Sequence, residues 1–177
     1  MCGILVVISK TGRRLDKARC QSALKKMTHR GPDRFFDSLL CDDRLYMGQT
    51  ILSITGKPDI ELRFYQASKS GLWNIVINGE IYNYKSLSRR YLNDLDLDTG
   101  TDTEVVVNLY DVVSPLKIAT LLSGMYAYGV FNSETEKLYI ARDLVGEKVL
   151  YTYEDDQATI FASETRSIIE YLGHYQV

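Results

Sequence analysis

The residue with the most distinctive chemistry is Cys2, which follows the initiator Met1 and precedes the small residue Gly3. Removal of Met1 would leave Cys2 with a free α-amino group beside its own thiol. In model peptides an α-amino group has a pKa of about 7.7–8.0 and a cysteine thiol one of about 8.5, so the amine can accept the thiol proton. The sequence therefore predicts a nucleophilic cysteine that is activated by its own N terminus.

A second group of candidates is Asn78-Gly79-Glu80, which follows the apolar run at 72–77. An Asn-Gly pair is typical of a tight turn, because both residues tolerate positive φ. The same pair could act chemically, since an Asn side chain and a Gly N–H together can hold an oxyanion. These residues alone leave both interpretations open.

The third candidate is Asp102, within Thr101-Asp102-Thr103-Glu104. A Thr followed three residues later by Glu is a capping box, and it predicts a helix through the apolar segment 105–113. An acid in the first turn also interacts favourably with the helix dipole. Asp102 thus has a structural interpretation that needs no substrate.

The composition excludes several classes of protein. A net charge of −2 disfavours a general binder of nucleic acid or of anionic membranes. No apolar run approaches the roughly 20 residues of a transmembrane helix, and residues 1–12 lack a signal-peptide pattern. The three cysteines show no CxxC spacing, and only His29 and His174 could supply imidazole ligands. We therefore expect a cytoplasmic protein with no metal and no cofactor, in which Cys20 and Cys41 are small buried residues.

The elements that must position these residues are short strands and helices joined by hairpin-length connections. Asp16 is the expected N-cap of the first helix, and the last four strands are expected to form one meander. Strands are predicted at 2–8, 35–41, 44–54, 62–67, 72–78, 125–132, 137–142, 147–153 and 158–162. Helices are predicted at 17–28 and 84–93, through 105–113 after the capping box, from 115, and at 163–172.

This order of strands, helices and strands favours an α+β fold with antiparallel sheets rather than a βαβ alternation. We expect a single domain over residues 1–177, in which two stacked antiparallel sheets lie between two helical layers. Such a four-layer αββα sandwich would cover both faces of each sheet.

Taken together, seven short motifs resemble class II glutamine amidotransferases, which are N-terminal-nucleophile hydrolases. The most similar members are the glutaminase domains of asparagine synthetases, and the resemblance covers nearly the whole chain. The motifs occur in the order of the family: Met1-Cys2-Gly3-Ile4, His29-Arg30-Gly31-Pro32-Asp33, Asn78-Gly79-Glu80-Ile81-Tyr82-Asn83, Thr101-Asp102-Thr103-Glu104, Gly124-Met125-Tyr126-Ala127-Tyr128 with Arg142-Asp143-Leu144-Val145-Gly146-Glu147-Lys148, and Phe161-Ala162-Ser163-Glu164.

The resemblance implies a role for each candidate residue. Cys2 would attack the side-chain amide of glutamine and form a thioester. Asn78 and the Gly79 N–H would hold the oxyanion, and Asp102 with Glu80 would bind the α-ammonium group of the substrate.

One segment departs from the family. An arginine that grips the glutamine α-carboxylate usually precedes a Leu-Ser-Ile-like strand, and Ile51 stands at that place here. The corresponding substrate-binding segment is Ile51, Leu52, Ser53, Ile54 and Thr55. Lys57 or Gln49 could compensate in part, although neither offers a guanidinium fork. The resemblance thus predicts weakened glutamine binding, with a KM above the usual range of the family.

The resemblance also implies a partner, because nothing in the chain resembles the ATP-pyrophosphatase domain of asparagine synthetases. Ammonia formed here would need a synthetase subunit or a further domain, and an exposed apolar patch is expected where that partner docks. Two alternatives remain open at this point. One is a non-catalytic binding or assembly module, and the other is an N-terminal-nucleophile hydrolase of a different amide.

Overall fold

The computed structural model describes residues 1–52 and 66–173. Eight β-strands and five α-helices lie wholly within these residues, with one short 3₁₀ helix at Thr28–Arg30. The strands are β1 (Gly3–Ser9), β2 (Arg34–Leu40), β3 (Leu45–Ile51), β4 (Trp73–Ile81), β5 (Gly124–Asn132), β6 (Lys137–Arg142), β7 (Tyr151–Glu154) and β8 (Ala158–Ala162). The helices are α1 (Lys17–Lys25), α2 (Tyr84–Tyr91), α3 (Asp102–Val112), α4 (Pro115–Leu121) and α5 (Thr165–Leu172).

The chain divides into two compact units, and the first comprises Met1–Ser53 with Lys148–Val177. Its sheet is antiparallel, in the order β2-β3-β1-β8-β7. Leu5 and Val7 of β1 are fully buried in one core with Leu24 and Met27. The odd-numbered side chains of β1 therefore face α1, as the two-residue period of a strand requires.

The N terminus of α1 is capped as predicted. Asp16 Oδ1 accepts hydrogen bonds from the Ala18 N–H at 2.9 Å and the Arg19 N–H at 3.4 Å. The helix ends at Lys25, before the predicted residue 28, because Thr28–Arg30 tighten into the 3₁₀ turn. Gly31 follows at a point where a Cβ atom would lie 2.4 Å from Ile51 N, so only glycine lets this segment approach β3.

The second unit comprises Ile54–Glu147. Its sheet is antiparallel in the order β4-β5-β6, and α2, α3 and α4 contribute to the same core. Residues 105–107 and Leu109 of α3 are almost completely buried there, against Ile75 and Ile77 of β4 and Val130 of β5. An apolar helix surface thus covers one face of the three-stranded sheet.

The predicted meander at 125–162 is wrong, because its two hairpins belong to different sheets. β5 pairs with β6 in the second unit, whereas β7 pairs with β8 in the first. The reason is long-range pairing, since β8 also lies antiparallel to β1 at the other end of the sequence. The predicted fold class is confirmed nonetheless: the protein is α+β, with two antiparallel sheets and helices that pack on each.

Candidate functional site

Cys2 lies directly before β1 and is half-buried. Arg30 Nε donates a hydrogen bond to the carbonyl oxygen of Cys2 at 2.9 Å. On the next residue, the Gly3 N–H donates to Thr50 Oγ1 at 3.1 Å, and Thr50 Oγ1 donates in turn to the Met27 carbonyl at 3.2 Å. The backbone around Cys2 is therefore fixed by side chains from two other segments.

Ser163 extends this support by one residue. The Ile4 N–H donates to Ser163 Oγ at 3.0 Å, and the Ser163 N–H donates to the Ile4 carbonyl at 3.0 Å. The paired bonds tie the start of β1 to the end of β8. The nucleophile candidate thus stands on a rigid strand end rather than on a loose terminus.

Arg30 is itself held by Glu164, which follows Ser163. Arg30 Nη1 lies 3.1 Å from Glu164 Oε1, His29 Nε2 lies 3.0 Å from the same oxygen, and Arg166 Nε lies 2.9 Å from Oε2. Burial raises the pKa of Glu164, but the hydrogen bonds from Arg30 and His29 outweigh it, and the net direction is downward. Glu164 therefore stays ionised at neutral pH, and its contact with Arg30 persists.

The other two cysteines differ in environment. Cys20 is fully buried in α1, as predicted, and burial raises its pKa to about 12, which makes its thiol a poor nucleophile. The prediction for Cys41 is wrong, because it is half-buried in the β2–β3 turn with a φ of 55° rather than in the core. Arg44 Nη2 donates to Cys41 Sγ at 3.3 Å.

Asn78 lies inside β4, so the tight turn suggested by the Asn-Gly pair does not form. It pairs with Ala127 of β5, and its side chain is only 1% exposed. Neither Nδ2 nor Oδ1 has a hydrogen-bond partner among residues 1–52 and 66–173. A buried amide without a partner costs about 1–3 kcal/mol, and native proteins contain few such groups. The amide is therefore a candidate binding group for a ligand.

Gly79 occupies a position in β4 that no other residue fits. Its φ is +151°, and a Cβ atom would lie 2.0 Å from the Met125 carbonyl oxygen and 2.6 Å from Tyr126 Cα. Both contacts are with backbone, so relief would require β5 to move. The glycine lets β4 pass close to β5 and keep the Asn78 amide in place.

Gly79→Ala is expected to destabilise the protein strongly. Gly71→Ala is the matched control, because Gly71 also has a positive φ, +74°, but a Cβ atom there would meet no described residue within 4 Å. Both variants carry the backbone strain of a positive φ, and only Gly79→Ala adds overpacking, which costs about 1–3 kcal/mol more. Urea denaturation of the two variants measures the difference. Equal losses of unfolding free energy would contradict the close approach of β4 and β5.

Asp102 and Glu80 are brought together by a contact between α3 and β4. Asp102 Oδ2 accepts a hydrogen bond from the Ile81 N–H at 2.9 Å, and Oδ1 accepts one from the Thr103 N–H at 2.8 Å. Burial raises the pKa of Asp102, the nearby Glu80 carboxylate raises it further, and the two N–H donors offset part of this effect. Two neighbouring carboxylates favour a cationic ligand, because a cation relieves their repulsion.

Glu104 organises the loop that precedes α3. Its carboxylate is buried and accepts from the N–H groups of Asp98, Thr99 and Gly100 at 2.7–2.8 Å. Thr101 caps the helix as predicted, since its Oγ1 accepts from the Glu104 N–H at 3.3 Å. In a simple capping box Glu104 would accept from the N–H of Thr101, but here it accepts from the three residues before Thr101. These bonds hold the loop that leads into α3, next to Asp102.

The predicted substrate-binding segment is described only in part. Ile51 ends β3 opposite Arg34 of β2, and both Ile51 and Leu52 are half-buried. Gln49 is buried in the same strand. Ser53, Ile54, Thr55 and Lys57 lie outside the described residues.

The candidates thus fall into two groups. Cys2 and Ile51 belong to the first unit, and Asn78, Gly79, Glu80 and Asp102 belong to the second. The sequence assigned no role to Arg30, Thr50, Ser163 or Glu164, which hold the backbone at Cys2. Arg30 and Glu164 stood out in the sequence only as members of two family motifs. Their contact could not be predicted, because the two residues are 134 positions apart and no local pattern links them.

The family of the chain follows from its sequence. The family model described as "Glutamine amidotransferase domain" matches residues 1–176. This chain belongs to that family. The predicted membership is confirmed, and the protein is a glutamine amidotransferase domain of the asparagine synthetase-like type.

Several relatives of this amidotransferase domain are glutamine-hydrolysing asparagine synthetases. It is 30% identical to a probable asparagine synthetase from Acanthamoeba polyphaga mimivirus over 97% of this chain and 32% of that protein. Over 96% of this chain and 30% of the relative, it is 29% identical to asparagine synthetase B from Escherichia coli K12. The domain therefore spans about a third of the length of these curated relatives.

Solved structures show the same fold at lower identity. The glutamine phosphoribosylpyrophosphate amidotransferase from B. subtilis matches with a TM-score of 0.75 and 18% identity, over 97% of this chain and 44% of that one. A second structure, titled as the allosteric regulatory enzyme of purine biosynthesis, matches with the same TM-score and identity over 43% of its chain. Within residues 1–52 and 66–173, no helix is long and apolar enough to cross a membrane.

Proposed function

We propose that this amidotransferase domain hydrolyses the side-chain amide of L-glutamine to glutamate and ammonia. The observation that carries the proposal is the Asn78 amide, which is buried and has no hydrogen-bond partner within the described part of the chain. It lies next to position 79, which only a glycine fits. Preorganised donors of this kind stabilise the oxyanion of acyl-transfer reactions. The family membership supplies the substrate class.

The reaction begins after Met1 is removed. The α-amino group of Cys2 accepts the thiol proton, and the sulfur attacks the amide carbon of glutamine. Asn78 Nδ2 and the Gly79 N–H donate to the oxyanion that forms. The carbon–nitrogen bond then breaks, ammonia leaves with the proton returned by the α-ammonium group, and a thioester on Cys2 remains. Water attacks the thioester with the amine as base, which releases glutamate and restores the thiol.

The acidic pair provides selectivity for an α-amino acid. Glu80 and Asp102 are brought together at the end of β4, where Asp102 keeps free capacity to accept hydrogen bonds beyond its two N–H donors. The α-ammonium group of glutamine would relieve the repulsion between the two carboxylates. Binding at this point would orient the substrate before attack.

The test is the release of glutamate and ammonia in equal amounts from L-glutamine by the purified full chain, with its N-terminal mass determined on the same sample. Loss of Met1 together with turnover supports the mechanism. Retention of Met1 in a protein that hydrolyses glutamine would overturn the role of the N terminus.

The ammonia requires an acceptor, and we propose an ATP-dependent synthetase subunit or further domain. This proposal is supported by the relatives, which are about three times as long as the matched region. A docking surface for such a partner is offered by the turn after β6. Leu144 is fully exposed and Val145 is 84% exposed at its tip.

This tip is held in place from within the second unit. Asp143 Oδ1 accepts from the Glu147 N–H at 2.9 Å, and Oδ2 accepts from the Tyr126 N–H at 3.2 Å. The Gly146 N–H also donates to the Asp143 carbonyl at 3.1 Å. A rigid turn that presents two apolar side chains to solvent is suited to docking, because little entropy is lost when a partner covers it.

Leu144→Ser combined with Val145→Ser is expected to weaken association with the synthetase part while leaving glutamine hydrolysis unchanged. Ammonia-dependent and glutamine-dependent synthesis, measured with the purified partner, separate the two effects. Loss of the glutamine-dependent reaction alone supports docking at this turn. An equal loss of glutamine hydrolysis by the isolated domain, or no effect on either reaction, would contradict it. The matched control is Leu116→Ser, another exposed leucine, on α4.

A further inference from the structure

We propose that Arg34 binds the α-carboxylate of the substrate and so replaces the arginine that the sequence lacks at position 51. The proposal rests on the proposed function, since it assigns one more contact to L-glutamine. An amino-acid substrate carries a carboxylate as well as an ammonium group. The carboxylate requires a cation of its own, because an anion that leaves water unpaired loses its solvation.

The register of the first sheet places Arg34 in one row with the nucleophile. Gly3 of β1 lies opposite Thr50 of β3, and Arg34 of β2 lies opposite Ile51. Continued by one residue beyond Gly3, the β1–β3 register sets Cys2 opposite Ile51. Cys2, Ile51 and Arg34 thus occupy equivalent positions on three neighbouring chain segments, in the order β1-β3-β2.

All three members of this row lie on the same face of the sheet. Gly3 and Thr50 face α1, since a Cβ atom on Gly3 would lie 2.9 Å from both Met27 Cβ and Thr50 Oγ1. Successive residues of a strand point to opposite faces, so Cys2 and Ile51 lie on the face turned away from α1. Arg34 shares that face, because directly opposed residues project to the same side.

The dimensions of the row match an extended glutamine. Neighbouring strands are about 4.7–4.9 Å apart, which separates Cys2 from Arg34 by roughly 10 Å. Four carbon–carbon bonds of about 1.5 Å join the amide carbon of glutamine to its carboxylate carbon, an extended span of roughly 5 Å. The remaining distance is within the reach of an extended arginine side chain. Ile51, between the two, would pack against the methylene groups of the substrate.

Arginine suits this role better than Lys148, a lysine that also lies near the N terminus. Its planar guanidinium donates two parallel hydrogen bonds to a carboxylate, whereas a lysine acts as a point charge. Lys148 is buried in the first unit, and its Nζ donates to Met1 Sδ at 3.6 Å. Lys148→Gln therefore tests whether this lysine, rather than Arg34, binds the carboxylate.

The experiment measures equilibrium binding of two ligands to full-length protein with Cys2→Ala, which binds without turnover. The ligands are L-glutamine and L-glutaminamide, in which a neutral amide replaces the α-carboxylate. Arg34→Gln is expected to raise the Kd for L-glutamine on the order of 30-fold or more, and Arg34→Lys by less. The Kd for L-glutaminamide should not change. Arg13→Gln, at an exposed site, is the matched control and should alter neither Kd.

Restoration gives a second readout. Adding Ile51→Arg to Arg34→Gln moves the guanidinium one strand along the row and should recover glutamine binding. The proposal is overturned if Arg34→Gln weakens both ligands equally, if it weakens neither, or if Lys148→Gln alone weakens L-glutamine selectively. A different result would show that the proposed function is wrong while the role of Arg34 is right. In that case L-glutamine binding would depend on Arg34, but the protein with Cys2 intact would release no glutamate.

Discussion

Cys2→Ala is expected to reduce glutamate release from L-glutamine to the uncatalysed background, because the variant lacks the thiol that attacks the amide. In triad-type enzymes, removal of the nucleophile alone lowers kcat by about a factor of 10⁶. The change should leave the fold intact, since Cys2 is half-buried and its backbone contacts with Arg30 do not involve the thiol. A coupled assay of glutamate formation measures the loss.

Cys41→Ser is the matched control for this prediction. Cys41 is also a half-buried thiol of the first unit, but it lies in the β2–β3 turn and contacts Arg44. Its replacement should preserve glutamine turnover. The prediction is contradicted if Cys2→Ala retains turnover and that turnover disappears when Cys41 is also replaced. Cys41 would then be the nucleophile, although it has no α-amino group to accept its proton.

Asn78→Leu is expected to lower kcat about 100–1000-fold, the usual effect of removing one oxyanion donor. The same change should not lower the stability of the protein. The Asn78 amide is buried and has no partner among the residues that the structure describes, so a leucine of similar shape removes an uncompensated cost of about 1–3 kcal/mol. Steady-state kinetics and urea denaturation of the same preparation measure the two effects.

Asn108→Leu provides the contrasting control. Asn108 is equally buried, but its Oδ1 accepts from the Lys69 N–H and its Nδ2 donates to the Glu104 carbonyl, both at 2.8 Å. Its replacement breaks both bonds and should destabilise the protein while kcat of the folded fraction is retained. An Asn78→Leu variant with unchanged kcat, or with a stability loss like that of Asn108→Leu, would make Asn78 a structural residue.

Local signals in the sequence predicted the ends of the helices well. Asp16 and Thr101 cap α1 and α3, and Pro115 opens α4 at its first position. Each signal acts over three or four residues, through side-chain bonds to the free N–H groups of the first turn. Such contacts can be read directly from the sequence.

Features set by long-range pairing could not be predicted from the residues alone. The Asn78-Gly79 pair has the local preference of a turn, but the pairing of β4 with β5 over nine residues overrides that preference. The last four strands form two hairpins in different sheets because β8 finds its partner in β1. In both cases the deciding contact lies far away in the chain.

The site shows the same division. The resemblance to the family marked Cys2, Asn78, Gly79 and Asp102, whose roles remain predictions. The resemblance did not predict the hydrogen bond between Arg30 and the Cys2 carbonyl. It also did not predict that Ile51 and Arg34 lie directly opposite each other on neighbouring strands, in line with Cys2. Position 51 viewed alone suggests a lost function, whereas the sheet register places a guanidinium on the neighbouring strand.

The central claim is that Cys2, freed of Met1, is the reactive nucleophile, and one measurement tests it most directly. The native protein is incubated with a diazoketone analogue of glutamine, digested and mapped by mass spectrometry. We predict a single adduct on an N-terminal peptide that begins at Cys2, and protection of that residue by excess L-glutamine. Retention of Met1 on the labelled peptide, or label shared among Cys2, Cys20 and Cys41, would contradict the account.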